Sequence, residues 1–387
     1  MKKWVVYLLI FPFCNLVLAQ EKKNWVLRNL GKLGAFIDTM TVRGIDPSYI
    51  EVPQKPWQLI LRYNTNDMHM TSRTKIDQEQ LAARGLEGEL NWETTIKPMA
   101  TTSVGAWIGY RGYGLGYSYS FNKQQGQNFA FSATGSNYSV SIHLRRFKTI
   151  EMGVHVWGYD EDGTVDETFD GESFDPLTIH TTMVNGFYML NSKRFSHAAA
   201  YDQSVIQRRS AGSLVLGSAW FYQSLDYVSN LNAMLIQYVD NIGRIQVYEG
   251  SLTVGYAYNW VPVKNLLVNV TALPMITFFN QAKTHLYESN YDVFLEPGTP
   301  SPDGKKPFPE DESDYSWMDD ITIYKTDTKT KHGNVSINFD ARASVTYQLG
   351  NYFLNIYGQL SHYRHHLDDN KLRNSEWSVN ASIGIRL

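Results

Sequence analysis

From position 335 to 349 the chain alternates without a break. Val335, Ile337, Phe339, Ala341, Ala343, Val345, Tyr347 and Leu349 are apolar, and Ser336, Asn338, Asp340, Arg342, Ser344, Thr346 and Gln348 between them are polar. Successive side chains on an extended strand point to opposite faces, so this pattern specifies a strand with one dry face and one wet face. The last stretch repeats it: Trp377, Val379, Ala381, Ile383, Ile385 and Leu387 alternate with Ser378, Asn380, Ser382, Gly384 and Arg386. Leu252, Val254, Tyr256, Tyr258 and Trp260 do the same against Ser251, Thr253, Gly255, Ala257 and Asn259. Noisier alternation marks 59–63, 104–110, 138–144, 266–272 and 352–360. Soluble sandwiches alternate too, but their strands usually run only about five or six residues. Two-faced strands this long point to a wall with water on one side and hydrocarbon on the other.

The first residues read as a cleavable secretory leader: Lys2 and Lys3, an apolar stretch from Trp4 to Leu18, then Ala19 before Gln20. The apolar stretch is interrupted by Pro12 and Asn15 and falls short of the roughly 20 residues a spanning helix needs. Cys14 follows Phe13 where a lipoprotein leader places a small residue, so lipidation is not expected. It is the only cysteine in the sequence, and cleavage removes it, excluding disulfides, thiol catalysis and cysteine-ligated metal from the mature chain. Loss of Lys2 and Lys3 takes the formal charge from −3 to −5, and no concentrated basic surface suggests nucleic acid. No later segment is a continuous apolar run long enough to span as a helix, so a membrane crossing must be made by strands. Aromatic residues at 14%, with 25 Tyr and 10 Trp, suit the interfacial girdles of an outer-membrane barrel.

Such barrels have short periplasmic turns and long outer connections. The short links are 97–101, 261–265 and 350–351, and the long ones are 67–85, 148–176, 226–247 and 281–331. Facing all four long segments outward gives an all-β, transmembrane, antiparallel up-and-down barrel of 12 strands. That parity makes 191–209 a periplasmic excursion and counts either 102–121 or 128–147 as one strand despite its change of phase. Treating every phase change as a turn gives 14 strands instead. Residues 22–40, with Trp25, Leu27, Leu30, Leu33 and Phe36 spaced for one face, read as a short amphipathic helix or a loosely held arm. The expected division is a leader at 1–19, a periplasmic arm at 20–56 and the barrel at 57–387.

Asp46, Pro47, Ser48, Tyr49, Ile50, Glu51, Val52 and Pro53, ahead of the first strand, resemble a motif of the bacterial family called domain of unknown function 4421. So does the stretch holding Asn185, Gly186, Phe187, Tyr188, Asn191, Arg194, Phe195, Ser196, Ala199, Ala200, Gln203, Gln207, Ser210, Ala211, Gly212 and Ser213. Gly255, Tyr256, Ala257 and Tyr258 match a third piece. The resemblance covers nearly the whole mature chain and implies an outer-membrane-type barrel, without an activity. One departure from outer-membrane convention is Leu387, which stands where the barrel-assembly signal usually ends in an aromatic residue.

Several groups could carry chemistry. Asp160, Glu161, Asp162, Asp166, Glu167, Asp170, Glu172 and Asp175 could offer oxygen ligands to Ca²⁺ or Mg²⁺, but their spacing fails that of a calcium loop and a solvated acidic loop is expected. A second acidic stretch, 310–320, follows a proline-rich one and reads as an outer loop. His362, His365 and His366 with Asp368 and Asp369 could bind Zn²⁺ or Cu²⁺, although His365 and His366 point to opposite faces of a strand. Ser141 and His143 share a face, a spacing open to a nucleophile and its base, with no identifiable third group. If the dry faces meet lipid, the lumen is lined by Arg62, His143, Arg145, Asp340, Arg342 and Arg386. Mixed charges there either pair and plug the barrel or line a water path.

The sequence therefore leads to an outer-membrane barrel without enzymatic activity, either a narrow channel or a structural and interaction component of the envelope. The competing reading is a lipid-modifying or peptide-cleaving enzyme using His143 or the 362–369 cluster. No cofactor and no bound metal are expected. The expected partners are outer-membrane lipid and lipopolysaccharide, the barrel-assembly machinery and a periplasmic protein docking on 22–40 or 191–209.

Overall fold

The computed structural model describes residues 20–76, 88–97, 101–120, 126–160, 163–226, 241–290, 321–367 and 370–387, with a few isolated positions between 228 and 307. The expected leader and the acidic stretch at 310–320 lie outside these residues. Helix α1 (Gln20–Val42) leads into the short strand β1 (Ile50–Glu51). The wall follows with β2 (Trp57–Ile76), β3 (Gly88–Lys97), β4 (Thr101–Tyr110), β5 (Tyr113–Ser120), β6 (Gln127–Thr134), β7 (Tyr138–Asp160) and β8 (Gly163–Met189). A five-residue helix, α2 (His197–Tyr201), and β9 (Ile206–Gln207) interrupt the wall before β10 (Ala211–Asp226), β11 (Ile242–Trp260) and β12 (Leu266–Asn290). The two-residue strands β13 (Phe294–Leu295) and β14 (Lys306–Pro307) pair with each other. The chain closes with β15 (Thr322–His332), β16 (Ser336–Leu349), β17 (Tyr352–Leu367) and β18 (Asn370–Arg386).

Pairing runs β11-β10-β8-β7-β6-β5-β4-β2-β18-β17-β16-β12, and β12 returns to β11, which makes a closed antiparallel barrel of 12 strands. Closure leaves no edge, the condition for a sheet to sit in hydrocarbon. The remaining two strands of the 14-stranded sheet are not extra crossings. Met70 to Ile76 of β2 pair with β3, and Trp57 to Asn66 pair with β4. Both partners run opposite to β2, so β3 and β4 are the upper and lower pieces of one descending pass. In the same way β15 and β16 lie beside the upper and lower parts of β12. Lys97 and Thr101 therefore lie partway up the wall, away from the end where the expected short turn would be. The expected single strand in 102–121 or 128–147 is also corrected. Tyr110 pairs with Tyr113 across Arg111 and Gly112, and Gly135 to Asn137 separate β6 from β7, so each phase change is a tight turn.

One end of the barrel carries the short turns and the meeting of Trp57 with Leu387, where each amide bonds the other's carbonyl. By outer-membrane convention this near end faces the periplasm. At the far end strands replace much of the expected long loops: β7 continues to Asp160, β8 restarts at Gly163, and β12 runs 25 residues to Asn290. A crossing strand needs only about 9–11 residues. Beyond it both faces of a hairpin are wet, so alternation fades while pairing continues, and periodicity alone misread these hairpins as loops.

The wall is two-faced as the alternation requires. Val335, Ile337, Phe339, Val345, Tyr347 and Leu349 are exposed on the outside, while Ser336, Asn338, Asp340, Ser344, Thr346 and Gln348 are buried inside. On β12 Phe278 and Phe279 both face outward at a register shift against Gly250 and Ser251, and this bulge changes the strand's phase. No helix among the described residues is long and apolar enough to cross a membrane.

Candidate functional site

The segment 191–209 does not leave the barrel as a periplasmic excursion; it turns into the near end of the lumen. Ser196 caps α2 by accepting from the Ala199 amide at 3.2 Å, and the Ala198, Ala199 and Ala200 run is both a strong helix former and slim enough to enter. Phe195, Ala198, Ala199, Ala200, Val205 and Ile206 are all buried. Full burial of Phe195 alone is worth about 2–3 kcal/mol, which favours the inward turn over exposure to water. Gln203 then takes the left-handed conformation (φ 54°) that ends the helix and aims its carbonyl at the wall. That oxygen accepts from Gln58 Nε2 at 2.8 Å and from Arg386 Nη2 at 2.7 Å.

Other wall residues hold the plug around its circumference. Tyr201 donates to Asn269 Oδ1 at 2.5 Å, and Ser132 donates to Asp202 Oδ1 at 3.3 Å. The Gln207 side chain, nearly inaccessible, donates to the Arg194 and Arg209 carbonyls and accepts from the Ser196 amide and Asn259 Nδ2. The motif at 46–53 anchors the plug from below. Ile50 and Glu51 pair with Gln207 and Ile206, Arg208 N–H donates to the Tyr49 carbonyl at 2.7 Å, and Arg194 and Arg209 flank the Tyr49 ring. Ser48 closes the start of this motif by donating through its hydroxyl and its amide to Asp46 Oδ1, which holds the Asp46 carboxyl below its ordinary range. The first two motifs behind the family resemblance thus meet as one structural unit.

Above the plug, side chains meet across the lumen. Arg145 on β7 forms an ion pair with Glu376 on β18, and the Arg342 guanidinium on β16 lies 4.9 Å from the Phe187 ring on β8. Phe221 and Tyr363 stack at 5.5 Å, and Gln223 Nε2 reaches Met68 Sδ at 3.5 Å. Met68, Met70, Phe147, Ile179 and Leu225 form an apolar cluster farther up.

Between plug and cross-lumen contacts lies a cavity of about 170 Å³. Its position follows from sequence: the inward residues of β4, β5 and β6 are mostly Gly, Ser and Ala, so this part of the wall contributes little volume. Trp107 is the exception, and its indole lies flat on bare backbone; a Cβ at Gly116 would come within 2.5 Å of the ring. Of the six lumen candidates, Arg62, His143, Arg145 and Arg342 line this cavity. Asp340 accepts from Arg342 Nε, Gln359 Nε2 and Ser361 Oγ, while Arg386 sits at the plug and donates to Gln348 Oε1 and Gln203 O. The reading of faces did not find Glu376, Asp202 or Tyr201, because partners across a lumen follow from its circumference and not from spacing along the chain.

The other candidates do not assemble. Ser141 and His143 both line the cavity, but no hydrogen bond joins them among the described residues. His362 Nδ1 contacts Ser375 Oγ at 2.7 Å and its Nε2 accepts from Arg364 at 2.9 Å, while Asp368 and Asp369 lie outside the described residues. Most of the stretch after Tyr159 lies on β7 and β8 and not on a free loop, with Asp160 paired to Gly163 and His155 beside Asp166 at 2.9 Å. Among the described residues no three or more His, Cys, Asp or Glu gather as a metal site.

A closed twelve-stranded barrel with an apolar exterior, a polar interior and a folded plug defines the class: an outer-membrane-type β-barrel. Residues 45–386 match the family described as domain of unknown function (DUF4421), and the chain belongs to that family. Solved barrels resemble it in form. The outer membrane protease OmpT of Escherichia coli is 7% identical, with 86% of this chain and 97% of that one covered at a TM-score of 0.35. OprG of Pseudomonas aeruginosa is 11% identical, with 86% and 96% covered at 0.25. The toluene transporter TodX of Pseudomonas putida is 7% identical, with 87% and 90% covered at 0.22. None of the three bears on what this chain does. No curated protein matches it in sequence.

Proposed function

We propose that this protein is a closed outer-membrane barrel without enzymatic activity, an envelope structural and interaction component in place of a standing pore. The observation that carries the reading is the filled lumen, with a plug hydrogen-bonded to β2, β6 and β12 around the wall below and the Arg145–Glu376 and Phe221–Tyr363 contacts above. The engaged nitrogens of His362 and the unlinked Ser141 and His143 support the non-enzymatic part. Its outer face meets lipid and lipopolysaccharide, the barrel-assembly machinery inserts it, and cleavage of 1–19 precedes insertion. Because most of 195–207 is buried, α1 is the larger surface left for a periplasmic partner, with Leu33 and Phe36 exposed there. Proteoliposomes of the purified protein test this reading. They are expected not to swell in small sugars and not to hydrolyse phospholipid or peptide panels; swelling, or hydrolysis lost on His143→Ala, contradicts it.

A further inference from the structure

The central cavity holds two charged groups that do not meet. The Arg62 guanidinium lies over the Trp107 ring at 4.5 Å, and among the described residues no carboxylate is within ion-pair distance of it. Arg145 and Arg342 line the same space but are matched to Glu376 and Asp340. Asp202, 8% exposed on the plug, has Oδ1 on Ser132 and Thr134 beside its carboxylate, but no well-formed hydrogen bond closes on Oδ2. His197 Nδ1, also on the plug and buried, and His143 Nδ1 on β7 are unpartnered too, and all of these residues line the cavity. A buried charge without a direct partner is costly; Arg62 and Asp202 act on each other only at a distance across the cavity, and a group placed between them would bond to both.

We propose that the cavity binds a small molecule carrying both a carboxylate and a hydrogen-bond donor, an amino or hydroxy acid. The carboxylate pairs with Arg62, the donor reaches Asp202 Oδ2, and the His143 and His197 ring nitrogens take further polar atoms. Asp202 argues against a bare anion such as phosphate, which its charge repels. A volume of about 170 Å³ is far above the roughly 10–15 Å³ that one water occupies. Because Asp202 and His197 belong to the plug while Arg62 belongs to the wall, the ligand joins the two.

The test uses the full chain in detergent and four probes: alanine, propionate (alanine without its amine), ethylamine (alanine without its carboxylate) and inorganic phosphate. Calorimetric binding and the shift in thermal unfolding are read on the folded barrel and on barrel refolded with the probe present, so that slow passage around the plug does not imitate a missing site. Alanine is expected to bind more tightly than propionate and ethylamine by about tenfold or more. Arg62→Gln is expected to lose about tenfold or more for alanine and propionate, and Asp202→Asn to bring alanine down to propionate. The Asp202→Asn difference keeps the test decisive if Arg62→Gln fails to fold. No saturable binding under either protocol, phosphate binding most tightly, or both variants binding as the wild type does overturns the proposal.

Discussion

Asp340 shows how one residue commits a lumen to being filled. It is 3% exposed, and its two oxygens accept from Arg342, Gln359 and Ser361 at 2.6–2.8 Å. Arg342 in turn lies against Phe187 on the facing wall. Removing the carboxylate strands a buried guanidinium, so Asp340→Ala is expected to cost roughly 3–5 kcal/mol in denaturant unfolding of the detergent-solubilised barrel. Changing Asp340 and Arg342 together to Leu and Met is expected to cost clearly less than the single change, since no orphan charge remains. An additive pair would show that the two do not act as a unit. Alternation put Asp340 and Arg342 on one face from sequence alone, because they are two residues apart on a strand. It placed Arg145 in the lumen but could not pair it with Glu376, which is 231 residues away and meets it only because of how the sheet closes.

At the scale of elements, the plug and the split passes are what periodicity could not supply. The segment 191–209 has no period of two and no helical stripe, so its polar residues read as a periplasmic excursion. One available signal was charge: between Arg194 and Arg208 only Asp202 is ionised at neutral pH, which is sparse for a loop in water. The passes made of β3 with β4 and of β15 with β16 were hidden for another reason, since a break partway up a wall leaves the same trace in sequence as a turn. Gln207 is the joint of the plug, with its side-chain amide bonded to 194, 196, 209 and 259. Gln207→Leu takes the acceptor from the buried Ser196 amide and Asn259 side chain, at about 1–3 kcal/mol each. Limited proteolysis is expected to cut the variant within 191–209 while the wild type stays intact there; equal resistance would mean that other contacts suffice to hold the plug.

The whole molecule is organised by two solvents. Lipid selects the exterior apolar residues and water the interior polar ones, which is why the barrel itself was legible and the far hairpins, wet on both faces, were not. Val345 faces outward about halfway along the roughly ten residues of β16 that a bilayer crossing needs. Val345→Arg is expected to destabilise the folded barrel in lipid vesicles by about 2–4 kcal/mol, and much less in a soluble context. A loss below about 1 kcal/mol in vesicles would place that face away from hydrocarbon. The central claim is that the chain closes its own barrel with 191–209. Thiol accessibility in a Cys14→Ser background tests it most directly, with single cysteines at buried Ala200 and exposed Lys193. The account predicts that a water-soluble maleimide labels Lys193→Cys rapidly and Ala200→Cys only after unfolding; labelling of Ala200→Cys in the folded barrel at the rate of Lys193→Cys would contradict it.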